Sequence, residues 1–271
     1  MRATLLTPPG EFTDGIEGPA CDRGGNLYAV NFARQGTIGI VTPQGMRSIF
    51  VELPEGSVGN GIRISPDGGT MFIADYTGHN VLAVDMPSRA VRVHAHEPSA
   101  NQPNDIALRS DGTIFASDPR WANDTGQIWR VETGGAWVAL ERGMGTTNGI
   151  EVGPDERTLY VNETVQRTVW AYDLDISGAV SGKRLLHRFD DFGLDGMRCD
   201  RAGNLYVTRW GKGTVAIMRP DGALLGEVEL PGRNCTNITF GGADGRTCYV
   251  TLADTGNIAT FRADYPGREP F

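Results

Sequence analysis

The chain has 271 residues, 39% hydrophobic and 21% charged, a globular composition that excludes a disordered one. Its 37 Gly and 15 Pro argue against long helices and for many short strands joined by tight turns. A formal net charge of −8 removes the basic surplus that phosphate binding needs, so nucleic acid is not an expected partner.

No run of 18 apolar residues occurs, so neither a transmembrane helix nor a membrane partner is expected. Residues 1–9 are too short and too interrupted to read as a secretory leader, which makes a cytoplasmic location the expectation. Cys21, Cys199, Cys235 and Cys248 show no CxxC spacing and no neighbouring histidine, and are expected as buried reduced thiols.

Along the chain one short pattern returns six times. Its copies open at Glu17-Gly18-Pro19, Asn60-Gly61-Ile62, Asn104-Asp105-Ile106, Asn148-Gly149-Ile150, Asp195-Gly196-Met197 and Asn237-Ile238-Thr239. The leading residues, here called anchors, are spaced by 43, 44, 44, 47 and 42 residues. Seven positions after each anchor comes a turn, at Gly24, Asp67, Asp111, Asp155, Ala202 and Asp244. An alternating strand follows, as at 27–30, 71–74 and 205–208, then a third strand, as at 81–84 and 169–172, then a looser fourth, as at 90–94. Four antiparallel strands in each of six repeats predict an all-β, six-bladed β-propeller, with residues 1–271 as one domain. The sixth repeat lacks room for a fourth strand. The N-terminal segment containing Ala3-Thr4-Leu5-Leu6 is expected to complete that blade and close the ring.

In a propeller the first strand of each blade lies nearest the axis, so the anchors should ring one mouth of the central channel. They offer carboxylates from Glu17 and Asp195 and amides from Asn60, Asn104, Asn148 and Asn237, all oxygen donors. Two axial carboxylates repel each other, and one divalent cation would cancel their charge; such donors suit Ca²⁺ first, with Mg²⁺ or Mn²⁺ next. Turn capping by Asn and Asp is the competing explanation of each anchor taken singly. The loop from second to third strand should lie on the same face. In the third repeat it carries three extra residues and reads Asp118-Pro119-Arg120-Trp121-Ala122-Asn123-Asp124-Thr125-Gly126, as a substrate rim would. Equivalent positions, Asn31, Asp75, Glu163, Arg209-Trp210 and Asp254, should form a second polar ring outside the anchors. His94 and His96 fall on an outer strand and are expected to face solvent. No G-x-S-x-G elbow, dinucleotide loop or P-loop is present, which removes the serine-hydrolase and nucleotide readings.

The motifs Glu17-Gly18-Pro19, Pro103-Asn104-Asp105, Asn148-Gly149-Ile150 and Asp195-Gly196-Met197, in this order and one per blade, resemble the SMP-30/gluconolactonase family. More distantly the chain is similar to diisopropyl fluorophosphatase and the paraoxonases. The resemblance implies a divalent metal held by Glu17, Asn148 and Asp195. It gives Asn104 to metal or substrate, and Asp195 the role of general base or nucleophile. Two departures stand out: Gln102 occupies a position where some animal members carry an arginine, and Asn60 one where paraoxonases carry a histidine.

The expected activity is metal-dependent hydrolysis of a sugar (aldono) lactone, within carbohydrate metabolism. Asp195 and Asn104 are the expected catalytic residues and Glu17, Asn104, Asn148 and Asp195 the expected metal ligands. Asn60, Gln102, Asp118, Arg120, Trp121, Arg209 and Trp210 are expected to contact substrate. One divalent cation is expected, calcium first, with magnesium, manganese or zinc as alternatives. The expected partner is a small-molecule lactone, and the chain a monomer or weak homo-oligomer. A phosphotriester hydrolase at the same metal and a non-enzymatic binding propeller are the competing readings.

Overall fold

A computed structural model describes residues 2–268. These form six sheets, each of four antiparallel strands, and contain no α-helix. Each sheet is one blade of a propeller. In blades 1 to 5 the four strands are hydrogen-bonded in chain order. Blade 6 is completed from the other end of the chain: Thr4–Leu5 pairs antiparallel with Asn257–Arg262, Thr4 opposite Thr260 and Leu5 opposite Ala259. The expected closure by the N-terminal segment is therefore present, and it pairs with the edge that Asn257–Arg262 would otherwise expose.

The turns after the first strands explain the regular offset of seven residues. Asp67, Asp111, Asp155 and Asp244 each accept the backbone N–H two positions on, at 2.9, 2.9, 2.9 and 3.2 Å. This is the Asx geometry that fixes a tight turn.

The apolar core lies between blades. One cluster joins Tyr28, Val30 and Ile38 of blade 1 to Ile62, Met71, Ile73 and Leu82 of blade 2. Another closes the ring by joining Leu27, Ala29 and Val41 to Ala253 and Ile258 of blade 6, with Phe12 and Ile16 between. No disulfide joins the four cysteines; Cys199, Cys235 and Cys248 are buried and Cys21 is half-buried.

The anchors enter the first strands in two ways. In blades 2, 4 and 6 the strand register breaks at the anchor, between Gly59 and Ile62, Thr147 and Ile150, and Cys235 and Ile238. In blades 1, 3 and 5 the first strand begins only after the anchor, at Ala20, Ile106 and Met197. Such irregularities re-aim a side chain that a regular pleat would place elsewhere. Neighbouring blades also crowd the backbone here, and glycine follows the anchor in four blades. A Cβ on Gly149 would stand 2.6 Å from the Asp195 carbonyl oxygen, and one on Gly18, at φ +56°, would overlap the Asn60 carbonyl.

The second polar ring exists, but Asn31, Asp75, Asp118, Glu163 and Arg209 are buried and only Asp254 is exposed. Asn31 donates to Gly15 O at 2.7 Å, and Asp75 accepts from Ser57 Oγ at 2.9 Å. Asp118 accepts the N–H groups of Asn101 and Gln102 at 2.8 and 2.6 Å, and Glu163 that of Gly145 at 2.8 Å. Arg209 donates to Asp191 at 2.7 Å, and Asp254 accepts Arg233 N at 2.8 Å. Each clasps the segment entering its own blade from the blade before. The ring is a structural fastening, and the expectation that Asp118 and Arg209 contact substrate is corrected accordingly.

The third repeat's insertion is likewise mostly strand. Ile114–Arg120 pairs with Thr125–Val131, Asp118 opposite Gln127 and Arg120 opposite Thr125. Only a 3-10 turn, Trp121–Asn123, projects, closed by Asp124 in the left-handed conformation at φ 53°. Of the two outer-strand histidines, His96 is exposed, whereas His94 is half-buried with its ring edge-on to Phe72 at 5.1 Å.

Candidate metal centre

Five of the six anchors converge. Glu17, Asn60, Asn104, Asn148 and Asp195 line one cavity of about 320 Å³, together with Thr164, Thr236, Trp121 and Trp210. The sixth anchor is turned aside: Asn237 Oδ1 accepts from Ile238 N at 2.9 Å and its Nδ2 donates to Glu17 Oε2 at 2.9 Å. The expectation that all four anchor amides present an oxygen is corrected at this position.

Neutral groups hold the Glu17 carboxylate. Glu17 accepts from Asn237 and from the N–H of Gly18. Asp195 is set by its backbone, with N donating to Thr208 O at 3.0 Å and O accepting from Asn162 Nδ2 at 2.6 Å. Burial, with the charge of Asp105 next, pushes the Glu17 carboxyl up from 4.5 to about 7, although the hydrogen bonds from Asn237 and Gly18 pull the other way. Asp195 is also raised well above the ordinary range, by burial first and then by the charge of Glu17. Both groups are thus short of positive charge.

The amide oxygens tell the same story. Asn104 Oδ1 and Asn148 Oδ1 are buried and accept no hydrogen bond. Asn148 is fixed through its other end, Nδ2 donating to Thr164 Oγ1 at 3.0 Å. Two buried carboxylates short of positive charge and two unsatisfied buried amide oxygens in one cavity fit a hard divalent cation, whose shell is built from oxygen. No cluster of three His, Cys, Asp or Glu occurs among the described residues; the donors here are two acids and amides.

Beneath this floor lies a second charged layer. Asp105 meets Arg63 at 3.4 Å and Arg198 at 3.1 Å. Glu151 meets Arg63 at 3.5 Å and Arg268, from the C-terminal segment, at 3.1 Å. Arg63, Glu151 and Arg198 come from first strands, Asp105 immediately precedes one, and the acids are 1% exposed.

Of the expected substrate contacts, Asn60, Trp121 and Trp210 line the cavity. Gln102, Asp118, Arg120 and Arg209 do not. Gln102 is held through its backbone by Asp118, and Arg120 is exposed on the strand edge. Arg209 is 1% exposed, paired with Asp191 and Glu227, its guanidinium 3.8 Å from the Phe189 ring centre. Sequence reasoning did not single out Thr164, Thr236, Arg63 or Arg198. A signal existed for the arginines: three positions after the anchors stand Ala20, Arg63, Ala107, Glu151, Arg198 and Phe240, and charge at an axial position is anomalous.

The chain is 28% identical to a gluconolactonase of Zymomonas mobilis over 274 residues, covering 88% of this chain and 76% of that protein. It is 33% identical to pentonolactonase XacC of Haloferax volcanii over 202 residues, covering 73% and 68%. The solved structure of the calcium-binding protein regucalcin from Agrobacterium tumefaciens superposes with a TM-score of 0.84 at 22% identity, covering 100% of this chain and 96% of that one, a likeness of fold. A family model described as the SMP-30/gluconolactonase/LRE-like region matches residues 17–254, from the first anchor to the clasp of the sixth blade. The chain therefore belongs to the SMP-30/gluconolactonase/LRE-like family.

Proposed function

We propose that the protein hydrolyses a sugar lactone with the help of one divalent cation. The observation that carries the reading is the convergence of Glu17 and Asp195 with the unsatisfied oxygens of Asn104 and Asn148 in one cavity. The lactonase names of two curated relatives support the substrate class. The cation is held by Glu17, Asn148 and Asp195, with Asn104 beside them, and calcium is the first candidate because every donor is an oxygen. When bound, it supplies Lewis-acid polarisation of the lactone carbonyl.

The chain's own groups do the rest. Glu17, fastened by Asn237, keeps the acidic floor in place. Asn148, fastened by Thr164, and Asn104 orient the carbonyl end of the substrate. Asp195 accepts a proton from the attacking water and returns it to the ring oxygen as the C–O bond breaks, so that lactone and water become a hydroxy acid. The substrate is a small molecule, and residues 1–271 act as one unit.

The test is proton release from a panel of aldono-1,4- and 1,5-lactones, using metal-stripped protein with Ca²⁺, Mg²⁺, Mn²⁺ or Zn²⁺ restored one at a time. Turnover regained with one cation and absent in Glu17→Gln supports the reading. Cation binding with turnover of a phosphotriester but of no lactone would replace it. Neither binding nor turnover would leave a binding propeller.

A further inference from the structure

We propose that the pocket takes an uncharged lactone whose ring lies between Trp121 and Trp210, and that it disfavours lactones bearing an anionic group at the end remote from the carbonyl, an assignment that rests on the lactonase reading and deepens it.

The cavity has two kinds of wall. Its floor is made of acids and amides, whereas Trp121 and Trp210 stand at its rim, each 36% exposed. They rise from blades 3 and 5, and Thr164 of blade 4 lines the cavity as well. A partly exposed indole above a buried polar floor is a surface still available to a ligand. A lactone ring matches this division. Its carbonyl end is polar and suits the floor, while its C–H faces are apolar and suit an indole. Its hydroxyls lie around the edge, where they remain solvated.

The backbone segments that carry the two indoles are braced. The turn carrying Trp121 is tied to blade 4, Gln166 Nε2 donating to Asp124 O at 3.0 Å. Trp210 O accepts Gly193 N at 3.1 Å, and a Cβ on Gly193 would lie 3.5 Å from the Trp210 Cβ. Bracing lowers the entropy lost when a ligand is gripped.

Charge selects in the same direction. Among the described residues no Lys, Arg or His lines the cavity. Arg209, the neighbour of Trp210 in sequence, is turned into the blade clasp and neutralised there by Asp191 and Glu227. A phosphate or sulfonate on the far end of the substrate would give up water without gaining a cationic partner, on a chain of net charge −8.

The experiment compares kcat/KM of the cation-loaded full chain for an aldonolactone and for its 6-phosphate. The expected preference for the uncharged form is about tenfold or more. Trp121→Ala and Trp210→Ala should each raise KM about tenfold with kcat nearly unchanged, and the Phe variants should retain most of the affinity. Calorimetric titration with an uncharged aldonolactam, which is not hydrolysed, reads binding separately. Equal or better turnover of the phosphorylated lactone, or unaltered KM in both Ala variants, overturns the inference while the lactonase reading stands. If no lactone is turned over, the lactonase reading fails. Lactam affinity that is lost in the Ala variants and kept in the Phe variants then still supports the clamp, and absence of lactam binding overturns it.

Discussion

Two layers of buried charge sit one above the other in the channel, and they are neutralised differently. In the lower layer the chain supplies its own cations: Arg63, Arg198 and Arg268 reach Asp105 and Glu151. In the upper layer Glu17 takes its hydrogen bonds from a neutral amide and a backbone N–H, and the charge of Arg198 is the weakest of the named influences on it. The same strands build both. The lower layer is neutralised within the chain, whereas in the upper one the Glu17 carboxylate is hydrogen-bonded by neutral groups. Burying an acid without a cationic partner favours its protonated form, as at Glu17 and Asp195, and makes the upper layer the place where an added positive charge would gain most.

The strongest way to break this comparison is to remove an upper acid. Glu17→Gln and Asp195→Asn should abolish tight cation binding in calorimetry and lower kcat/KM by about a thousandfold. An Asp195→Asn protein that is folded, cation-loaded and fully active would end that residue's role as base. In the lower layer, Arg198→Ala should lower unfolding free energy by about 3 kcal/mol in denaturant titration while cation affinity changes little, because it removes the nearer of the two arginine partners of Asp105 and no upper ligand.

Outside the axis, Asp118→Ala should cost about 2 kcal/mol by leaving the N–H groups of Asn101 and Gln102 and the Trp129 indole without their acceptor. Its KM should not move. Arg120→Ala, on an exposed edge, should alter stability by less than about 0.5 kcal/mol. A reversed order for this pair would restore Asp118 as a rim residue.

The mildest probe is pH. Glu17 binds its proton more tightly folded than unfolded, so between about 4.5 and about 7 the native state holds the extra proton. Stability of the metal-stripped protein should therefore fall as pH rises through that window, and added cation should flatten the fall. Melting curves that rise with pH across the window in the absence of cation would contradict the account of the upper layer.

Much of this was open to reading in the chain itself. The repeat spacing, the alternation within each strand and the shortfall in the sixth repeat are local or additive features, and from them follow six blades and closure by Thr4–Leu5. The same register placed Glu17, Asn60, Asn104, Asn148, Asp195 and Asn237 in one ring, of which all but Asn237 line the cavity. What only the tertiary structure decided is where each polar group spends its hydrogen bonds. Asn237 and Asn148 are equivalent in the repeat, yet Asn237 is spent on Glu17 and Ile238, while Asn148 keeps its oxygen free. Asp118 and Arg209 look like rim residues because they sit beside exposed tryptophans, but both are drawn into clasps. The reason is physical: a hydrogen-bond partner is chosen by which segment the next blade brings within 3 Å, and that distance depends on packing between strands far apart in sequence, which no local pattern encodes.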